Sequence, residues 1–193
     1  MTCVVALEHE GTVWMASDSI AIDGLQACTI LDPKVFIRQG IGFGFCGSFR
    51  AGQLLKYALE VPEHLPEKSD MEYLVVDLID ALRDLWRSKG VLKSENDVQD
   101  VELQCLIAYR GKLYYIDEDL QIGRPSCGYL AIGCGSDVAL GALHALHRSG
   151  IEPARELERA LDASVAWCAG VRAPFTIISV PGLNAAKKQR TKK

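Results

Sequence analysis

Residues 2–18 read Thr2-Cys3-Val4-Val5-Ala6-Leu7-Glu8-His9-Glu10-Gly11-Thr12-Val13-Trp14-Met15-Ala16-Ser17-Asp18. Two β-rich runs, Val4–Glu8 and Thr12–Ser17, flank Glu10-Gly11, where glycine can take positive φ without steric cost. The spacing predicts a β-hairpin. The pattern returns twice: Lys34–Arg38 and Ile41–Cys46 flank Gln39-Gly40, and Leu103–Tyr109 and Lys112–Ile116 flank Arg110-Gly111. Strands joined by such short turns are antiparallel, because a parallel pair needs a long crossover.

Between the hairpins stand helices in pairs. Ser48 reads as the cap of a helix to about Glu60, with apolar Phe49, Leu54, Leu55, Ala58 and Leu59. Ser69-Asp70-Met71-Glu72 is a capping box, opening a longer helix that runs to Gly90. Its predicted apolar face is Met71, Leu74, Val75, Leu78, Leu82, Leu85 and Trp86. A second pair is predicted over Asp137–Arg148, capped by Ser136, and over Ala154–Cys168, opened by Pro153. The stripe of the latter is Leu157, Ala160, Leu161, Ser164, Val165 and Cys168. A last strand falls at Phe175–Val180, and the polar segment Ser88–Val101 reads as a surface loop. Strands, two helices, strands, two helices and a strand give an α+β class. The arrangement that buries every stripe is a four-layer αββα sandwich, two antiparallel sheets each flanked by a helix pair.

The 193 residues are expected to form a single domain over 1–184, followed by a basic, disordered tail over 185–193. Hydrophobic residues make up 49% and charged residues 24%, which excludes a disordered or disulfide-stapled chain. Five of the 21 Lys and Arg lie in the last seven residues, so the rest carries 16 basic against 25 acidic side chains, a net −9. So acidic a body argues against nucleic acid as the main ligand. No apolar run approaches a membrane span, and no signal-peptide pattern opens the chain, so no membrane association and a cytoplasmic location are expected. The seven cysteines are scattered without a C-x-x-C, which fits a reducing compartment. His144 and His147 lack a second ligand pair, so no metal site is expected. Gly42–Gly47 lacks the Lys-Ser/Thr of a phosphate-binding loop.

Chemistry can start at Thr2. A small second residue is what removal of the initiator methionine requires, and removal would give Thr2 a free α-amine beside its own hydroxyl. One residue then supplies nucleophile and base, and a nearby cation held by a carboxylate would favour the alkoxide. Beyond Thr2-Cys3-Val4-Val5, three further segments matter: Met15-Ala16-Ser17-Asp18-Ser19, Pro33-Lys34-Val35 and Gly44-Phe45-Cys46-Gly47-Ser48. Thr2 to Asp18 is 16 residues, and Asp18 to Lys34 is 16 more. In these segments and spacings the chain resembles the proteasome β-subunit family and, within it, the bacterial HslV-type peptidases. Ala131-Ile132-Gly133-Cys134-Gly135-Ser136 is similar to the family's Ile-Gly-Ser-Gly turn.

The resemblance implies an N-terminal-nucleophile hydrolase cleaving peptide bonds through an acyl-enzyme on Thr2, with no cofactor and no metal. Lys34 would lower the pKa of the Thr2 hydroxyl and Asp18 would orient Lys34. The Gly47 N–H would donate to the oxyanion, and Cys134 would stand where a serine usually contacts the threonine amine. Ile22 would bind substrate backbone as an edge strand, and Phe45 would lie near the specificity pocket, favouring small side chains. The implied partners are homo-oligomeric stacked rings, a peptide or unfolded-protein substrate and an ATP-dependent unfoldase. The chain departs from the pattern at Cys134, and at Ala166 and Ala169, where the proteasomal branch has Asp and Ser. These departures motivate two rivals: a weak or inactive scaffold subunit of the same fold, and an amidase acting on a small molecule.

Overall fold

The three short turns form where the glycines stand. In the computed structural model, which describes residues 1–95, 98–147 and 149–183, Glu10 and Gly11 have φ of 47° and 72°. Gln39 and Gly40 have 46° and 86°, and Arg110 and Gly111 have 49° and 78°. Positive φ at both central residues is the two-residue turn whose twist matches that of the paired strands. It closes β1 (Cys3–His9) on β2 (Thr12–Ser17), β5 (Val35–Arg38) on β6 (Ile41–Gly47), and β9 (Leu103–Tyr109) on β10 (Lys112–Ile116).

Two antiparallel sheets result. With β12 (Tyr129–Gly133) and β13 (Thr176–Pro181), the first has the order β12-β1-β2-β13. With β11 (Ile122–Gly123), the second has the order β11-β10-β9-β6-β5. Between β2 and β5 in the chain, β3 (Ile20–Asp23) and β4 (Gln26–Thr29) form a separate two-stranded ribbon. Strand alternation decides what each face meets. Val4 and Ala6 of β1 pack between the sheets with Met15, Leu106, Ala108 and Val180. Cys3, Val5 and Leu7 face the other way, onto Ala139 and Leu143 of α4 (Ser136–Leu146) and Leu157, Ala160 and Leu161 of α5 (Pro153–Trp167). The second sheet turns Phe43, Phe45, Leu103, Cys105 and Ile107 to its own helices, α1 (Phe49–Tyr57), α2 (Asp70–Glu72) and α3 (Ile79–Ser88). The layers are the predicted αββα sandwich. No helix of the described residues is long and apolar enough to cross a membrane.

Ser48 and Ser69 cap as predicted, accepting from Ala51 N and Glu72 N. Four expectations are corrected. The helix from Asp70 to Ser88 contains a π-helical stretch, Tyr73–Leu78, across which Ile79 N donates to Leu74 O, five residues back. The extra residue rotates the buried face, so Tyr73, Leu74, Leu78, Ile79, Leu82 and Trp86 are buried while Met71 and Val75 are exposed. Segment 88–101 is more than a loop, because β7 (Lys93–Glu95) pairs with β8 (Val98–Asp100) and Val101 is buried. Its strands are held by backbone bonds and carry no apolar alternation to betray them. Ser136 is the first residue of α4 and Gly135 occupies the cap position, without a side-chain bond. Val165, placed on the stripe of α5, is exposed. Arg148 and the predicted tail at 185–193 lie outside the described residues.

Candidate active site

Asp18 follows the last residue of β2, where the ladder holds it against the start of β1. Its N–H donates to Cys3 O (3.2 Å), and its Oδ1 accepts the Cys3 N–H (2.9 Å). Its Oδ2 accepts the Ile20 N–H (3.1 Å). Lys34 precedes β5, with its carbonyl in the ladder through Phe45 N (3.1 Å). The Lys34 Nζ donates to Asp18 Oδ1 (2.8 Å) and to Ile20 O (2.7 Å). The same carboxylate oxygen therefore ties Lys34 to the peptide N–H that follows Thr2.

The pair is sealed: the Lys34 side chain is 1% exposed and that of Asp18 0%. Burial pushes the Lys34 ammonium down from the ordinary lysine value, and the Asp18 carboxylate opposes that shift through charge and hydrogen bond. An ammonium has three N–H groups. Two are used, and among the described residues no acceptor takes the third. The Phe49 ring, read from sequence as an apolar face of α1, lies 5.8 Å from Nζ.

Thr2 is buried and its Oγ1 donates to Met1 O (2.6 Å). With Met1 attached, the nitrogen of residue 2 is an amide that donates to Cys134 Sγ (3.4 Å). Cys134 lies in the turn from β12 to α4, within reach of Thr2 O (3.4 Å) and Gly170 O (3.7 Å). Gly133 precedes it with φ 93°, and a Cβ there would come within 2.2 Å of Thr2 O, so the backbone runs directly against residue 2. The Met1 side chain occupies the space beside Gly170, where an added Cβ would meet its sulfur at 2.6 Å and Cys134 Sγ at 2.7 Å.

Gly47 closes β6, exposed, with φ 94°. A Cβ there would stand 2.2 Å from Glu102 O, so both the conformation and the space require glycine. Phe45 is buried against Gly52, its ring edge-on to Phe49 at 6.1 Å, while its backbone N–H donates to Lys34 O. Ile22 is half-buried on β3, opposite Ala27, and stands outside the Asp18–Lys34 hydrogen-bond network. Ala166 and Ala169 are exposed and have no polar side chain to offer. Cys168, which sequence reasoning placed only on an apolar stripe, has its Sγ 3.6 Å from Cys134 Sγ and 3.5 Å from Cys134 O.

No protein-family model matches the chain, and no curated protein matches it in sequence. Solved structures do. BPH of Thiobacillus denitrificans, solved alone and in complex with epoxomicin, superposes with a TM-score of 0.79 at 17% identity, covering 93% of this chain and 98% of that one. The fold is the proteasome-like one. The eukaryotic HslV of Trypanosoma brucei shares this proteasome-like fold at TM-score 0.66 and 16% identity, over 92% of this chain and 98% of that one. Anbu (ancestral beta-subunit) from Yersinia bercovieri does so at 0.65 and 15%, over 93% and 82%.

Proposed function

We propose that the chain is a threonine peptidase of the N-terminal-nucleophile type, working on Thr2 once Met1 has been removed. The observation that carries this reading is the shared Asp18 oxygen, which holds a buried ammonium and the Cys3 N–H together at the start of β1. With Met1 gone, the α-amine takes the proton of the Thr2 hydroxyl, directly or through water, and Oγ1 attacks the substrate carbonyl. The remaining Lys34 N–H stabilises the developing alkoxide, and Asp18 keeps Lys34 in place. The Gly47 N–H donates to the oxyanion, a contribution of about 2.7–4 kcal/mol for one such donor. The amine returns its proton to the leaving nitrogen, and water attacking the acyl-enzyme restores Thr2. No residue of this scheme calls for a metal or cofactor.

Cys134 takes the contact to the residue-2 nitrogen, and a thiol is a weaker partner there than a hydroxyl, which favours slow turnover. In the proposed assembly copies of the chain stack in rings in the cytoplasm, with the sites enclosed and unfolded protein delivered by an ATP-dependent partner. The fully exposed Leu25 and Leu31, beside β3 and β4, support burial by further subunits.

Intact-mass measurement of the purified chain tests the first step: loss of one methionine is expected, and its retention supports the scaffold reading instead. The processed chain is then expected to carry epoxomicin covalently on residue 2, and Thr2→Ala to carry none while assembling as before. Equal labelling of Thr2→Ala would remove Thr2 from its role. Hydrolysis of small amides but not of peptides would move the substrate class to the amidase rival.

A further inference from the structure

The seven cysteines are all free, but they are not equivalent. Cys3, Cys46 and Cys105 are buried, and burial raises all three thiols, to about 12 at Cys3 and Cys46. Cys28 and Cys127 are exposed, on β4 and before β12. Burial, with the neighbouring Cys168, also raises the Cys134 thiol; it is in geometry that Cys134 and Cys168 differ from the rest. They come from opposite ends of the α4–α5 pair, their sulfurs are 3.6 Å apart, and both reach solvent. Among the described residues no other two sulfurs are in hydrogen-bond contact. A disulfide needs about 2.05 Å between sulfurs, so closure asks for a shift of about 1.5 Å. Cys134 sits between Gly133 and Gly135, and Cys168 is the C-terminal cap of α5, two residues before Gly170.

We propose that Cys134 and Cys168 form a reversible dithiol–disulfide couple, oxidised by hydroperoxides, that controls the reactivity of residue 2. One thiolate attacks the peroxide, breaking the O–O bond and giving a sulfenic acid and water. The second sulfur attacks the sulfenic sulfur, forming S–S and expelling a second water. Two thiols and one hydrogen peroxide become one disulfide and two waters, the sulfurs losing two electrons to the peroxide. Closure draws Cys134 Sγ toward α5 and removes its proton, so the contacts of that sulfur with Thr2 N, Thr2 O and Gly170 O are disturbed together. The couple itself stands on the sulfur geometry alone. Its effect on Thr2 rests on the peptidase reading.

The test treats the full-length reduced protein with hydrogen peroxide and maps thiols by differential alkylation and peptide mass spectrometry. The expected product is a Cys134–Cys168 cross-link that forms before Cys28 or Cys127 is consumed, is reversed by dithiothreitol and is absent from Cys168→Ala. If Cys134 and Cys168 stay reduced, or end as separate sulfonic acids, the couple is overturned. Epoxomicin labelling of Thr2, measured in parallel, is expected to slow at least about tenfold on closure in the parent and not in Cys168→Ala. Equal labelling of the oxidised and reduced parent would overturn the control of Thr2. A reduced parent that takes no label at all would sink the peptidase reading, while the cross-link map still decides the couple.

Discussion

Asp18–Lys34 and Glu156–His147 are both acid–base pairs of the interior, one beside the start of β1, the other where α5 begins under the end of α4. In the first, the carboxylate accepts two backbone N–H groups and the ammonium, and the ammonium also donates to a backbone carbonyl. In the second, His147 Nδ1 stands 3.6 Å from Glu156 Oε1, too far for a hydrogen bond, and among the described residues that oxygen has no hydrogen-bond partner. Burial pushes the Glu156 carboxyl up from its ordinary value, partly opposed by His147 and His9. A buried charge is tolerable when it is paired and directly hydrogen-bonded, and a pair held in that way fixes an ammonium at one point with one N–H left over. That set of direct hydrogen bonds, more than the presence of opposite charges, marks the first pair as a catalytic candidate and the second as packing.

Removing one partner gives the largest expected difference. Lys34→Ala leaves Asp18 buried and uncompensated, and is expected to destabilise the fold by about 3–5 kcal/mol and to abolish epoxomicin labelling. Denaturant unfolding and intact mass read the two effects. Lys34→Met fills the same volume, and normal labelling in that variant would displace the ammonium from its role. A loss below about 0.5 kcal/mol in Lys34→Ala would erase the contrast between the pairs.

A pH series gives a smaller effect with a definite sign. Well below the native pKa of Lys34, native and unfolded chains both hold the proton, and the burial penalty stands in full. Between that lowered value and the ordinary lysine value, the unfolded chain binds a proton the native chain has released, so stability rises with pH. Under the proposed peptidase reading, activity is expected to move oppositely, falling in the same window as the ammonium is lost. Unfolding free energies of parent and Lys34→Met should therefore diverge on the alkaline side, and parallel curves would contradict the assigned direction.

How much of this the sequence could carry depends on range. The hairpins are local: two strands and a glycine at a fixed offset specify them, and through the ladder they also bring Cys3 beside Asp18. The Thr2–Asp18–Lys34 set is not legible from local pattern in the same way; it enters only through the resemblance to the proteasome β-subunit family. Features that depend on distant contacts are not readable. The π-helical stretch changes which face of Asp70–Ser88 is buried without any compositional sign. Phe49 looks like any apolar residue of α1 until Lys34 is folded beneath it. Cys134 and Cys168 are 34 residues apart and meet only because α4 and α5 return the chain to the β12 turn.

The smallest effect concerns the second pair. Below the ordinary glutamate value both states of Glu156 are protonated, and the carboxyl costs the fold nothing in charge. As pH rises, the unfolded chain ionises first while the native carboxyl keeps its proton, so stability falls until the raised native value is passed. Glu156→Gln removes that slope and keeps the shape. It should equal the parent in acid and gain on it toward neutral pH, within about 1 kcal/mol. A variant that instead loses stability at neutral pH would mean the His147 contact is worth more than a 3.6 Å separation suggests, and the two pairs would then differ in degree only.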